Sequence, residues 1–256
     1  MRDPDPDLLN YATRLAQDAG QVALQYFRKP LDIEIKPDQS PVTVADKAVE
    51  DFVRARLMRD FPDDGIFGEE GGADGLARQR LWVIDPIDGT RSFLSGHPGF
   101  GFLLALLQDG VPKIGVVGMP ALGEVYAGMG NLALCNGLPI RVSGRQSLDD
   151  AMLYINEAEP MRAEQPAVFE RLARAGATRR FAHDCYPHAL LAAGHIDAVV
   201  DYNLQPYDFL PLCALIEAAG GVISDWHGAP LTLQSGGAVI SAASPGLHAE
   251  ILEITS

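Results

Sequence analysis

The stretch WVIDPIDGT, from Trp82 to Thr90, is the part of this chain whose reading matters first. An apolar run that begins at Leu81 ends at Asp85, and Asp88 follows Pro86 and Ile87, with Gly89 and Thr90 behind it. Pro86 fixes its own φ and biases Asp85 toward extended geometry, so the chain leaves the strand in a defined direction. The aspartate spacing then becomes a fixed geometric quantity. Two carboxylates, with the Ile87 carbonyl between them, can converge on one point. Oxygen-only donors suit Mg2+ or Mn2+ better than zinc, which takes histidine and cysteine more readily. Gly89 admits an anion close to the backbone, the Gly89 and Thr90 amides are candidate phosphate donors, and the Thr90 hydroxyl can orient a water. Asp-Pro and Asp-Gly are also ordinary turn pairs, so these residues alone leave a plain turn open.

Two further acidic positions bear on that choice. Glu69 and Glu70 stand in FGEEGG, where the glycines permit a bend that presents a carboxylate, although an acidic pair in a loop is usually only a solvated surface. Asp208, in QPYDFLPLCALIEAAGG, precedes an apolar helix ending at Gly220. An aspartate there is also an ordinary helix cap.

Outward from these residues, Leu8, Ala12, Leu15, Ala19, Val22 and Tyr26 recur at helical spacing, as do Val49, Phe52, Val53 and Leu57 ahead of Pro62. Between these helices, EIKPDQSPVTVAD reads as an exposed, mobile loop. From Leu81 to Val142 short apolar runs separated by turn signals predict an antiparallel meander. Beyond residue 145 the rhythm alternates: strand at Met152, helices near Val168 and Leu190, strand at Ala198, helix near Leu215, strands at Val222 and Val239, and a last helix from Leu247. Residues 1–144 read as an α+β half and 145–256 as an α/β half sharing an extensive interface.

The chain has 256 residues and a formal net charge of −14, which repels nucleic acid and anionic membrane surfaces. A metal ion would invert that field locally for an anionic substrate. Cys135, Cys185 and Cys213 form no CxxC pair and predict neither a disulfide framework nor a zinc site. His97, His183 and His188 have no metal-ligand spacing. The N-terminal residues are acidic where a signal peptide is basic, and the run Phe100 to Leu107 is far short of a membrane span. The expected location is cytoplasmic.

Taken together, GEE at Gly68 to Glu70, WVIDPIDGT, SPVTVAD at Ser40 to Asp46 and Tyr207-Asp208 ahead of a helix ending in EAAGG resemble the inositol monophosphatase superfamily over nearly the whole chain. The resemblance implies a layered αβαβα sandwich and a metal-dependent phosphomonoesterase. It implies that Glu69, Asp85, the Ile87 carbonyl, Asp88 and Asp208 hold two or three Mg2+ ions, with Mn2+ as a substitute. Glu69 and Thr90 would activate the attacking water, and the Gly89 and Thr90 amides would hold phosphate. Asp46 would help hold a loosely bound additional metal, and Lys36 would lie on a mobile loop. A homodimer and inhibition by Li+ are further expectations. A haloacid dehalogenase mechanism is disfavoured, because its two aspartates are separated by a single residue and here Pro86 and Ile87 both intervene.

DGTRSFLSGHP and HDCYPHALLAAGHIDAVVDYNLQPYD resemble the histidinol-phosphate phosphatase branch most. Histidinol phosphate carries an ammonium and an imidazole, so acids beyond the metal ligands would help to bind it. Asp201 and Asp184 are the candidates, and each has a structural alternative: Asp201 ends a strand and Asp184 could cap the helix near Pro187. Arg91 could reach the phosphate or pair with a nearby carboxylate. Inositol 1-phosphate and nucleotide 3′-phosphates are the alternative substrates. A non-catalytic regulatory or binding protein is the alternative of a different class.

Overall fold

The computed structural model describes residues 6–30, 33–35 and 41–256. Helix α1 (Pro6–Leu24) buries Leu9, Ala12, Leu15, Ala16, Ala19 and Ala23 along one face. The segment expected to be a loop contains regular structure. Strand β1 (Ile33–Ile35) pairs antiparallel with β2 (Pro41–Thr43), and α2 (Val44–Asp60) starts at the next residue. Lys36 lies outside the described residues.

Strands β3 (Gly65–Gly68), β4 (Gly72–Asp74) and β5 (Arg80–Asp88) follow, then helix α3 (Thr90–Ser95). Next come β6 (Gly101–Gln108), β7 (Val111–Met119), β8 (Glu124–Met129), β9 (Leu132–Cys135) and β10 (Leu138–Pro139). They form an eight-stranded sheet in the order β10-β9-β8-β7-β6-β5-β3-β4. From β5 to β10 this is the expected antiparallel meander. The parallel pairing of β3 with β5 has no periodic signal, because GIFG and GAD are too short and glycine-rich to show one.

The second sheet is built from β11 (Met152–Asn156), helices α4 (Ala158–Glu164) and α5 (Pro166–Leu172), β12 (Thr178–Ala182), α6 (Tyr186–Ala192), β13 (Ala198–Asp201), α7 (Pro206–Ala218), β14 (Val222–Asp225), β15 (Val239–Ala242) and α8 (Pro245–Thr255). Its order is β12-β11-β13-β15-β14, with β11 parallel to β12 and β13, and β15 antiparallel to β13 and β14. The alternating rhythm thus produces a mixed sheet. Strand β12 has no counterpart among the expected strands, because TRRFA sits mostly exposed at the sheet edge and lacks an apolar alternation.

Three apolar clusters define five layers. Trp82, Ile84, Phe102 and Leu104 face α1 and α2, while Leu81, Val83, Leu103, Ala105 and Val117 point the other way into a cluster with α6 and α7. Both faces of the first sheet are covered, which is why its central strands read as continuous apolar runs. Val199, Ile223 and Val239 close the α6/α7 layer from the second sheet, and α5 and α8 cover that sheet's far side through Leu172, Leu247 and Ile251. Helix α7 lies so close to the first sheet that a β-carbon on Gly115 would collide with the Pro211 carbonyl. That close approach carries the N-terminal turn of α7, with Asp208, to the end of β5.

Candidate active site

Side chains alternate along a strand, so residues three apart, such as Asp85 and Asp88, should face opposite sides of the sheet. They converge because β5 does not end at Asp85 as expected. Asp85 pairs with Leu103 and Asp88 with Gly101, so the segment through Pro86 and Ile87 holds one residue more than β6 opposite it. This is a β-bulge at a proline that cannot donate to the ladder. The extra residue returns Asp88 to the side occupied by Asp85. The Ile87 amide donates to Asp85 Oδ1 at 3.0 Å and fixes that carboxylate.

Asp208 completes the cluster: one carboxylate oxygen from each of Asp85, Asp88 and Asp208 lies within 4.8 Å of the others. Asp208 is the third residue of α7 rather than its cap, and its Oδ2 accepts the Gln205 amide at 2.7 Å. Among the described residues no ion pair joins a lysine or arginine to these three aspartates. Burial pushes the Asp85 carboxyl well above the usual carboxylate range, and the charges of Glu69, Asp88 and Asp208 push it further. Asp88 is raised by burial and by Asp184 and Asp208, against the Cys185 amide that donates to its Oδ2 at 2.5 Å. Asp208 is pushed up to about 7, mainly by burial. Crowded carboxylates of this kind, offering only oxygen, fit a hard divalent cation, which would remove the repulsion that raises them.

Helix α2 supports the neighbouring wall. Asp46 stands at its third position, where Oδ2 accepts from the Thr43 amide at 2.9 Å and the Thr43 hydroxyl at 2.6 Å. The Thr90 hydroxyl lies 3.3 Å from Asp46 Oδ1 and 3.2 Å from the Ile87 carbonyl. One turn on, Glu50 accepts the amides of Glu70 and Gly71 at 2.7 and 2.8 Å and is held by Arg54 at 2.6 Å. It pins the turn that aims Glu69 into the cleft. Nothing in the sequence reading singles out Glu50; its spacing of four from Asp46 on a helix starting at Val44 is the available signal.

Glu69, Asp85, Ile87, Asp88, Gly89, Thr90, Arg91, Asp184 and Asp208 all line one cleft of about 390 Å³, together with Glu157 and Asn203. Gly89 has φ 79°, and a β-carbon there would lie 2.5 Å from the Asp184 carboxyl carbon, so the anion its bareness visibly admits is Asp184. Asp184 does not cap α6; the Ser92 hydroxyl donates to its Oδ2 at 2.5 Å. The parallel strands β11, β12 and β13 are each followed within two residues by a left-handed, non-glycine residue that lines the cleft: Glu157 (φ 44°), Asp184 (φ 63°) and Asn203 (φ 63°). Each costs about 1–3 kcal/mol, and such strain gathers at functional sites. Glu157 carries no signal in the sequence because EAEP reads as a plain helix start. Burial, Asp201 and Asp184 raise its carboxyl, while the Arg91 guanidinium opposes them.

Asp201 corrects the sequence reading. It is 1% exposed and does not line the cleft. Its Oδ2 accepts from Asn156 Nδ2 at 2.8 Å and lies 3.1 Å from His188 Nε2, and its Oδ1 accepts the Tyr202 amide at 2.8 Å. Both oxygens are used inside the protein.

An αβαβα sandwich with a carboxylate cluster at the bulged end of its first sheet and a threonine hydroxyl beside it describes a metal-dependent phosphatase. The chain belongs to the inositol monophosphatase family, whose model matches residues 6–256. It is 37% identical over 249 residues to the chloroplastic bifunctional phosphatase IMPL2 of Arabidopsis thaliana, covering 93% of this chain and 72% of that protein. A histidinol-phosphatase of Chlorobaculum parvum is 39% identical over 228 residues, covering 87% of each. A solved inositol monophosphatase from Zymomonas mobilis superposes with a TM-score of 0.88 at 38% identity over 99% of both chains. An inositol-1-monophosphatase of Bacillus subtilis (30% identical, 94% of each chain) and the Nus factor SuhB of Pseudomonas aeruginosa (32% identical, 90% of this chain and 89% of that one) match as well. The protein is accordingly a phosphoric monoester hydrolase, and no described helix is long and apolar enough to cross a membrane.

Proposed function

We propose that this phosphatase is Mg2+-dependent and hydrolyses histidinol phosphate to histidinol. The observation that carries the metal-dependent chemistry is the convergence of Asp85, Asp88 and Asp208 beside the Thr90 hydroxyl. These three, with Glu69 and the Ile87 carbonyl, would hold the ions. Bound cations neutralise the phosphate and make a water acidic enough to attack near neutral pH.

The chain's own groups account for the rest. Thr90 has one hydroxyl proton, and its acceptors within reach are Asp46 Oδ1 and the Ile87 carbonyl. The hydroxyl oxygen therefore offers a lone pair to the cleft, and a water seated there must donate to it, which aims the opposite lone pair at phosphorus. Glu69, held by the turn that Glu50 pins, takes the second proton of that water as general base. Asp46 acts in this reading by orienting Thr90, with an additional metal as its further role. The Gly89 and Thr90 amides serve as phosphate donors.

Beyond the phosphate, the cleft wall presents Glu157 and Asp184, with Arg91 beside Glu157. Two acids there suit a leaving alcohol that carries an ammonium better than a neutral polyol. The histidinol-phosphatase relative supports the same choice. The reading includes a homodimer in the cytoplasm, consistent with three unpaired cysteines, and inhibition by Li+. Retention of Glu69, Asp85, Asp88, Thr90 and Asp208 favours an enzyme over a purely regulatory protein.

Phosphate release with Mg2+ from histidinol phosphate, inositol 1-phosphate, fructose 1,6-bisphosphate and adenosine 3′,5′-bisphosphate tests the reading. The expected result is the highest kcat/KM on histidinol phosphate. A preference for inositol 1-phosphate overturns the substrate, and absence of turnover on all four overturns the enzyme.

A further inference from the structure

Below the cleft floor runs a buried chain of side chains that the proposed hydrolysis does not use. Ser241 Oγ on β15 lies 3.0 Å from His188 Nδ1 on α6, and His188 Nε2 lies 3.1 Å from Asp201 Oδ2 at the end of β13. Asn156, at the end of β11, spends both protons of its amide: one on Asp201 Oδ2 at 2.8 Å, the other on the backbone carbonyl of Asp184 at 3.1 Å. His188 and Asn156 are fully buried and Ser241 is too. The residue after Asp184, Cys185, donates its amide to Asp88 Oδ2 at 2.5 Å.

Resting on the reading of Asp88 as a metal ligand, we propose that Ser241, His188, Asp201 and Asn156 are positioning residues that fix the Asp184–Cys185 segment and thereby the carboxylate of Asp88. The physical need is local. Asp184 is held at φ 63°, a conformation that a non-glycine residue leaves unless neighbours enforce it. Asn156 grips its carbonyl and Ser92 its side chain, so the peptide that carries the Cys185 amide cannot rotate. With Oδ2 of Asp88 held by that amide, the orientation in which the carboxylate would meet a cation is set. Among the described residues the Asn156 Oδ1 finds no partner. A leucine would fill the same volume without burying an unpaired carbonyl, so packing alone does not explain the asparagine. Outer partners that orient a ligand typically change metal affinity or activity by about 10–100-fold when removed.

The test is the affinity of the purified full-length chain for Mn2+, read by electron paramagnetic resonance, in Asn156→Leu and in a control, Leu172→Ala, which removes buried volume under α5 away from the cleft. The relay predicts about 10–100-fold weaker Mn2+ binding in Asn156→Leu and unchanged binding in Leu172→Ala, although both alter the melting temperature. Equal Mn2+ affinity in Asn156→Leu and wild type overturns the relay, as does a matching loss in the control. If Asn156→Leu does not fold, Ser241→Ala decides: a loss of about tenfold or more supports the relay, and a smaller change overturns it. A wild-type chain that binds no Mn2+ is a different result, because it removes the metal reading itself.

Discussion

Two carboxylates of this protein, Asp201 and Asp85, lie about equally deep and have opposite surroundings. Asp201, 1% exposed, is surrounded by donors from Asn156, His188 and the Tyr202 amide. Asp85, 2% exposed, faces Glu69, Asp88 and Asp208, and burial together with their charges drives its carboxyl upward. Burial by itself therefore does not mark the functional acid. What separates them is whether the fold supplies the compensating donors or leaves that task to a cation. A buried carboxylate with three donors is scaffold, whereas three carboxylates aimed at one point form a site.

The largest test of that contrast is Asp88→Asn. It should lower the steady-state phosphatase rate by about 10³-fold, equivalent to several kcal/mol of lost charge stabilisation. In chelator the same variant should melt about 2 °C or more above wild type, because one member of a mutually repelling cluster is gone. A lower melting temperature in chelator would mean that the cluster is not under repulsion.

Asp201→Ala should do the reverse to stability, losing about 3 kcal/mol in urea denaturation through the donors it leaves unpaired. A loss below about 1 kcal/mol would remove the distinction between scaffold and site.

The pH dependence sharpens it further. Burial pushes Asp208 up to about 7, and Asp85 and Asp88 are also raised. Folded-state values above the unfolded ones mean that the metal-free protein is favoured below the ordinary carboxylate range, near pH 4, and loses that contribution as pH rises toward and past 7. Cations need the deprotonated form. Mg2+ affinity by calorimetric titration should therefore fall about tenfold per pH unit below 7 for each proton displaced, and the Mg2+-induced rise in melting temperature should be greater at about pH 8 than at about pH 5.5. A rise independent of pH would break the link.

The smallest effect concerns the alcohol side. Glu157→Gln should raise KM for histidinol phosphate about tenfold, roughly 1.4 kcal/mol, while leaving KM for inositol 1-phosphate unchanged. An equal change for both would make Glu157 a general wall residue.

Much of this architecture is legible in the chain itself. The 3.6-residue periodicity marks α1 and α2, and the apolar runs from Leu81 to Val142 mark the meander, because a sheet covered on both faces must be apolar on both. Strands β3, β4 and β12 are not legible: two are too short to carry a period, and the third is a polar edge. In the site, Asp85, Asp88 and Thr90 stand out through turn chemistry and spacing, whereas Asp208 reads as an ordinary helix cap and is singled out only by the family resemblance. Glu50, Asn156 and His188 do not, since a residue that acts through another leaves no local pattern.

The sequence by itself determined which acids, glycines and hydroxyls are available, and the order in which the strands carry them. Only the tertiary structure decided which of those acids meet. The bulge at Pro86 turns Asp88 to the side of Asp85, the bare Gly115 lets α7 bring Asp208 against them, and internal donors take both oxygens of Asp201 at the end of β13. Spacing along a chain fixes residue types and distances in one dimension. Convergence in three dimensions depends on register, and one extra residue opposite β6 reverses the face that a side chain takes.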